Sequence, residues 1–281
     1  MRIGFLMLRY PPTRMSNILP EVVRLLSEWG AKVDVIYPEE QLVDLSKVRV
    51  EHDLYILKAK TELALSLAGV LHAAGAAFLN PYPVSMTLHD KIMTFHVLQA
   101  AGLPTPETYV ASHPDQLTPL LDEGPLVVKP YNGSDGKGVR VVWDADELHD
   151  APSNQEPLFA QRYYEPQGRD RKIYCIGGQI FGVIRVWPAR TYEQKLGEPF
   201  TITPELHNIS LRCGRAFGID LYGLDIIENN GKPYVVDVSS FPGFKGVPEA
   251  ALRLADYIYS AGQRVLNGEP LLPSQEKEVE A

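Results

Sequence analysis

The segment Val127-Val128-Lys129-Pro130-Tyr131-Asn132-Gly133-Ser134-Asp135-Gly136-Lys137-Gly138-Val139 constrains this chain more than any other. Three glycines and a serine fall within positions 133–138, between apolar runs that read as strands at 126–129 and 139–143. Glycine meets no steric penalty at positive φ, so such a loop can wrap backbone N–H groups around anionic oxygens. Lys129, at the end of the incoming strand, adds a point charge suited to phosphate. The same pattern also describes a plain Gly-Ser hairpin. It is neither Gly-x-x-x-x-Gly-Lys-Ser/Thr nor Gly-x-Gly-x-x-Gly, so a P-loop or Rossmann reading is not supported.

Two carboxylates form the second signal. Asp225 and Asp237 sit in apolar strand patterns at 221–227 and 234–239, where a lone ionised carboxylate is costly. Two acids converging there call for a cation, and Mg²⁺ takes one or two carboxylates plus substrate phosphates. The alternative places one acid on the wet face of an edge hairpin. A shared metal needs Asp225 and Asp237 opposite one another. In an unbroken antiparallel ladder that register leaves Asn230-Gly231-Lys232 as a three-residue loop. A two-residue Asn230-Gly231 turn pairs Asp225 with Val236 instead and sends Asp237 to the other face. The expectation is therefore a three-residue loop, with Ser239 on the carboxylate face and Leu224, Ile226, Val236 and Val238 on the apolar one.

Around these signals the chain alternates. Strand patterns at 3–8, 33–37, 53–58 and 76–79 are separated by helical patterns at 16–29, begun by Ser16, and 62–74. That spacing predicts a small parallel sheet covered by helices. After Asn80-Pro81-Tyr82-Pro83 come one helix over 85–101, a strand at 108–110, and β-rich segments at 158–163, 171–176 and 179–186. The last two join through Gly177-Gly178, a hairpin-turn pair. Helices follow at 204–217 and 248–266, then a polar tail. Trp29 and Trp143 read as packing residues, and His89 and His96 as structural or solvated.

Length and composition narrow the classes. The chain has 281 residues, 45% hydrophobic and 22% charged, which suits two or three globular lobes. A net charge of −8 disfavours a nucleic-acid partner. Cys175 and Cys213 read as inert buried thiols. No secretory signal and no membrane-length apolar run is visible, so a cytoplasmic protein without a membrane partner is expected.

Taken in order, the motifs resemble the ATP-grasp superfamily over about residues 1–265. His89-Asp90-Lys91, Leu98, Gly102-Leu103-Pro104-Thr105-Pro106 and Thr108 resemble the family's Asp-Lys…Leu…Gly-Ile-Pro-x-Pro-x-Thr signature. The segment 125–139 resembles its Val-Val-Lys-Pro…Gly-Ser-x-Gly-x-Gly-Val loop. Gln161-Arg162-Tyr163-Tyr164-Glu165 and Gly168-Arg169-Asp170-Arg171-Lys172 resemble its Gln-Glu-Tyr-Ile…Gly-x-Asp-Ile-Arg stretch. Asp225 and Asp237-Val238-Ser239-Ser240-Phe241-Pro242-Gly243 resemble its metal-binding Asp and Glu-x-Asn-x-x-Pro-Gly box.

The resemblance implies an α/β and α+β architecture: an N-terminal parallel lobe (1–83), a central lobe with a glycine-rich lid (84–156), a C-terminal lobe (157–268) and a loose tail (269–281). The two β-rich lobes would sandwich ATP. Lys91 and Lys129 would neutralise the α- and β-phosphates, with Gly133, Ser134, Gly136 and Gly138 as the lid. Gln161 and Tyr163 would offer backbone to adenine, and Glu165 would reach the ribose. Lys172 and Arg185 would face the transferring phosphoryl group. Asp225, Asp237 and Ser239 would hold Mg²⁺, with Mn²⁺ as a substitute. Arg162 departs from the family's usual Glu, Asp237 from Glu, and Ser239 from Asn, which leaves the metal one weaker ligand.

Two reactions share this site. RimK-like and glutathione-synthetase-like ligases phosphorylate a carboxylate, and an amine attacks the acyl phosphate. The N-terminal lobe, the lid sequence and the chain length favour this reading, with a small-molecule acceptor. Inositol polyphosphate 5/6-kinases phosphorylate a hydroxyl, and Lys172, Asp237 and Phe241 before Pro242-Gly243 are kinase-like choices. That acceptor needs many cations, which Lys60, Arg185, Arg190, Lys195 and Lys245 could supply only in part. A non-catalytic nucleotide-binding module is a third reading. Arg190, Lys195 and the loop 188–199 are expected at the acceptor pocket.

Overall fold

The structure, a computed structural model, describes residues 1–9, 16–131, 138–150, 157–186 and 191–272. Its first unit runs β1 (Arg2–Leu6), α1 (Ile18–Glu28), β2 (Lys32–Ile36), β3 (Leu54–Leu57), α2 (Glu62–Ala73) and β4 (Phe78–Leu79). The four strands pair only in parallel, in the order β2-β1-β3-β4. Helical crossovers dictate this arrangement, because a parallel pair cannot be closed by a tight turn. Ser16 begins α1 by accepting the Ile18 N–H through Oγ at 3.3 Å.

The one helix expected over 85–101 is two, α3 (Tyr82–Thr87) and α4 (Lys91–Ala100). Asp90 separates them: its backbone is extended, and its Oδ1 accepts the Met93 N–H at 3.0 Å as an N-cap. Next come β5 (Thr108–Ala111), β6 (Leu126–Lys129), β7 (Arg140–Val142), α5 (Ala145–His149) and β8 (Leu158–Arg162). They form an antiparallel sheet in the order β5-β8-β6-β7. One face buries Leu126, Val128, Val142, Leu158 and Ala160 in a small core of its own. Trp143 stands 61% exposed, contrary to the packing role expected of it.

The third unit comprises β9 (Asp170–Ile176), β10 (Gln179–Arg185), α6 (Tyr192–Leu196), β11 (Glu198–Phe200), α7 (Pro204–Phe217), β12 (Leu221–Asn229), β13 (Lys232–Ser240) and α8 (Ala250–Leu266). Its sheet has the order β11-β10-β9-β12-β13. Ile173, Leu224, Ile226, Val235 and Val238 line the back of this sheet against Leu206, Ile209 and Phe217 of α7. Cys175 and Cys213 lie in that core, both free and buried. Burial pushes the Cys175 thiol up to about 12, in keeping with inert thiols. On the front face Tyr174, Ile176, Leu221, Phe241 and Phe244 share a core with β1, β3, α1 and α8. The last helix therefore packs against the first, α8 on α1.

The β12–β13 hairpin combines two registers thought incompatible. Asn229 pairs with Lys232 and Ile226 with Val235, so Asn230-Gly231 is a two-residue turn, with φ of 50° and 73°. Asp225 nevertheless pairs with Asp237, and Leu224 with Val238. A bulge reconciles them: Val236 has no partner across the ladder. The expected three-residue loop is thus corrected. So is the apolar face, where Val235 is fully buried and Val236 only half-buried.

Candidate functional site

The charged end of the third sheet's front face grows out of strand alternation. Asp170, Lys172, Tyr174 and Ile176 point one way from β9, and the register sets Lys172 beside both Val183 and Asp225. Toward Ile176 this face is apolar and covered; toward Asp170 it carries ionised groups. Lys172 Nζ donates to Asp225 Oδ2 at 2.8 Å and Arg185 Nη2 donates to Oδ1 at 2.8 Å. Burial by itself raises the Asp225 carboxyl, but Lys172 and Arg185 outweigh it and hold the group below its ordinary value. Burial disfavours the Lys172 ammonium, yet Asp225, Tyr174 and Asp237 together outweigh that and raise it. Ser239 Oγ lies 3.4 Å from Asp237 Oδ2, so these two share the face of Asp225. Asp170, across from Arg185, is pushed up to about 6 by burial and by Asp225.

The middle sheet turns Lys129, Gln161 and Thr108 toward this face. Lys129 Nζ donates to Gln161 Oε1 at 2.7 Å and to the Val236 carbonyl at 2.8 Å, which ties the two sheets together. Gln161 is held in turn by its Nε2 donating to Thr108 Oγ1 at 3.0 Å. At the start of α4, Lys91 Nζ donates to the Tyr131 carbonyl at 2.8 Å, and Tyr131 OH to Asp90 Oδ2 at 2.7 Å. Asp90 thus caps the helix and anchors the strand-to-loop corner beside Lys91. Gly138 closes the loop at φ 74°, where a Cβ would meet Pro130 Cγ at 2.6 Å. The Pro-Gly turn adds Phe241 and Phe244 at φ 45° and 48°, with Lys58 Nζ donating to the Phe241 carbonyl at 2.8 Å. Non-glycine residues held there store strain of about 1–3 kcal/mol each, a frequent feature of functional loops.

Burial lowers Lys129 to about 8, against the pull of Asp237. Its proton is therefore lost near pH 8 in the folded chain and near 10.4 in the unfolded one. Between those values the unfolded state binds the extra proton, so this group favours folding as pH rises there. Affinity for an anion that needs the ammonium moves the other way. Titration calorimetry with Mg-ATP from pH 7 to 9.5 is expected to show Kd rising about tenfold per unit above pH 8. A flat profile sinks the assignment.

Other expected site residues are placed differently. Gln161 lies between Thr108 and Val127 in the sheet, and its side chain, not its backbone, reaches the site. The Tyr163 N–H is donated to the Pro125 carbonyl at 3.0 Å, so that group is not open to an adenine edge. Glu165 is exposed on the connection to β9, and its carbonyl accepts from Asn229 Nδ2 at 3.0 Å. Arg162 points to the opposite face, donating to the Leu120 and Gly124 carbonyls and pairing with Glu123, so its departure from Glu is structural. Gly133, Ser134, Gly136, Arg190, residues 273–281 of the tail and the Lys195 side chain lie outside the described residues. Two groups escaped sequence reasoning. Asp170 was legible two residues before Lys172 on an alternating strand, whereas no local pattern signals the Val236 carbonyl.

A model of the RimK-like ATP-grasp domain matches residues 88–258. The chain is 26% identical over 203 residues to the ribosomal protein bS6–L-glutamate ligase of Shigella flexneri serotype 5b (strain 8401), covering 66% of this chain and 68% of that one. It is 25% identical over 254 residues to the alpha-aminoadipate–LysW ligase LysX of Saccharolobus solfataricus, covering 84% and 91%. Among solved structures, a RimK domain ATP-grasp protein from Sphaerobacter thermophilus superposes with a TM-score of 0.73 at 18% identity, covering 92% of this chain and 99% of that one. D-alanine–D-alanine ligase from Bacillus anthracis superposes with a TM-score of 0.71 at 22% identity, covering 96% and 100%. These superpositions establish the ATP-grasp fold. The chain belongs to the RimK-like ATP-grasp family. It is an ATP-dependent ligase, as its relatives are.

Proposed function

We propose that the enzyme joins a small-molecule carboxylate to an amine through an acyl phosphate. The observation that carries this reading is the meeting of Lys129 from one sheet with the Lys172–Asp225–Arg185 cluster of the other. A carboxylate oxygen attacks the γ-phosphorus of ATP and ADP leaves. The amine nitrogen then attacks the acyl carbon, phosphate leaves with its bonding electrons, and the amine proton passes to solvent. Lys91 and Lys129 hold the α- and β-phosphates, and Gly133, Ser134, Gly136 and Gly138 form the lid. Gln161 acts by holding Lys129, Tyr163 borders the adenine, and Glu165 reaches the ribose. Lys172 and Arg185 offset the charge that grows on the transferring group.

Among the described residues no three His, Cys, Asp or Glu side chains gather as metal ligands. Asp225 and Asp237, with Ser239 beside them, are a donor set that suits Mg²⁺, whose remaining ligands are phosphate oxygens and water. The metal would neutralise phosphate charge, with Mn²⁺ as a substitute. Among the described residues no helix is long and apolar enough to cross a membrane. We assign the enzyme to the cytoplasm on its need for Mg-ATP.

The test is incubation with Mg-ATP and pools of amino acids, short acidic peptides, a ribosomal-protein tail or inositol phosphates. Phosphate release that needs both a carboxylate and an amine, with an amide formed, is the expected result. A phosphorylated inositol phosphate without an amide replaces the ligase by a kinase, and amide formed only on the protein tail overturns the small-molecule acceptor.

A further inference from the structure

We infer that the β-bulge at Val236 is a positioning element of the nucleotide site, whose working group is the Val236 main-chain carbonyl. The inference rests on the reading of Lys129 as a phosphate-binding residue. The bulge is not needed to make the hairpin. From the Asn230-Gly231 turn the ladder runs in regular steps to Ile226↔Val235 and resumes at Asp225↔Asp237. With Val236 removed, Val235 would still face the core and Asp237 would still stand opposite Asp225. One residue is therefore carried that neither the turn, the apolar face nor the carboxylate pair requires.

What the extra residue supplies is a carbonyl on a residue that has no partner across the ladder. In a regular ladder the carbonyl next to Asp237 is committed to β12 or turned to the far edge, whereas at the bulge it accepts from Lys129 Nζ at 2.8 Å. An ammonium has three N–H bonds. Gln161 Oε1, on the middle sheet, takes one at 2.7 Å, and Val236 O, on the third sheet, takes another. Acceptors on two different sheets leave a third N–H for an anion, and Asp237 and Asp225 act on this lysine electrostatically. The lysine is thereby pre-oriented toward an anion instead of sweeping through its rotamers. Val236 itself is a half-buried valine, and its side chain takes no part in this.

The decisive variant is the full chain with Val236 deleted, compared with wild type for melting temperature and for Mg-ATP binding and turnover. The expected result is a cooperative melt within a few degrees of wild type, Mg-ATP Kd and KM raised about ten- to a hundredfold as for a lost hydrogen bond to a charged group, and a smaller change in kcat. A merely structural bulge predicts a changed melt and an unchanged Kd. Wild-type Mg-ATP binding in the deletion overturns the inference. Absence of binding in the wild type overturns the reading of the site itself, a separate outcome. Should the deletion fail to fold, a crystal structure of the wild type with Mg²⁺ and a non-hydrolysable ATP analogue decides. Lys129 Nζ is expected to keep its bond to Val236 O, and a separation beyond about 3.6 Å overturns the inference.

Discussion

Asp225→Asn is expected to end turnover and to destabilise the resting protein at once. Asp225 is the common acceptor of two buried or half-buried cations, Lys172 with its side chain 6% exposed and Arg185 with 22%. An amide keeps the shape but not the charge, so both cations lose their counterion in a poorly solvated place. Removing one partner of a buried pair costs about 3–5 kcal/mol. For a chain of this size that lowers Tm by on the order of 10 °C. Turnover falls by about a thousandfold or more, because the proposed metal ligand is lost and Lys172 and Arg185 lose their anchor. Differential scanning calorimetry and a phosphate-release assay measure the two effects. A wild-type Tm refutes the account of the pair, and a wild-type kcat refutes the role in the site. The acid limb follows from the same contacts. The folded carboxyl lies below its ordinary value, so this stabilisation is complete above about pH 4 and is lost as pH falls through the folded pKa.

Lys129→Met should act differently. The lysine is buried and its ammonium is disfavoured there, so the gain from an apolar chain of similar length roughly offsets the hydrogen bonds lost to Gln161 and Val236, and the resting protein is expected to stay within about 2 kcal/mol of wild type. What disappears is the response to nucleotide. A ligand at a hundred times its Kd stabilises by about 2.7 kcal/mol, and the variant should show less than about a quarter of the wild-type Tm rise with millimolar Mg-ATP. A full rise in the variant removes Lys129 from the phosphate site, while its loss together with a collapsed resting Tm indicates structural damage. The two variants differ in resting stability although both cripple the enzyme. That contrast distinguishes a charge that holds the site together from one that the fold tolerates for its ligand.

Much of the fold was legible because its signals are local. The alternation of short apolar runs with helical stripes forces parallel pairing in the first unit. Strand alternation alone places Lys172 and Asp170 on one face, and the motif order points to a nucleotide held between two sheets. Local chemistry also misled. Asp90 stops one helix and caps another, which an apolar stripe continuing through 85–101 conceals. Arg162 reads as a site substitution until the sheet shows it on the far face.

Which residues carry charge, which strands alternate and where glycine permits a loop are all readable from residue order, since each depends on neighbours a few positions away. Which of those charges meet is set by the packing of the sheets. Lys129 finds Val236 across 107 positions, and Asp225 gathers Lys172 and Arg185 from 53 and 40 positions away. No short-range pattern encodes such distances. The hairpin shows the limit most sharply. Alternation demands that Asp225 face Asp237, and Asn-Gly demands a tight turn. One unpaired residue satisfies both, because a bulge shifts register at almost no cost to the pattern on either side.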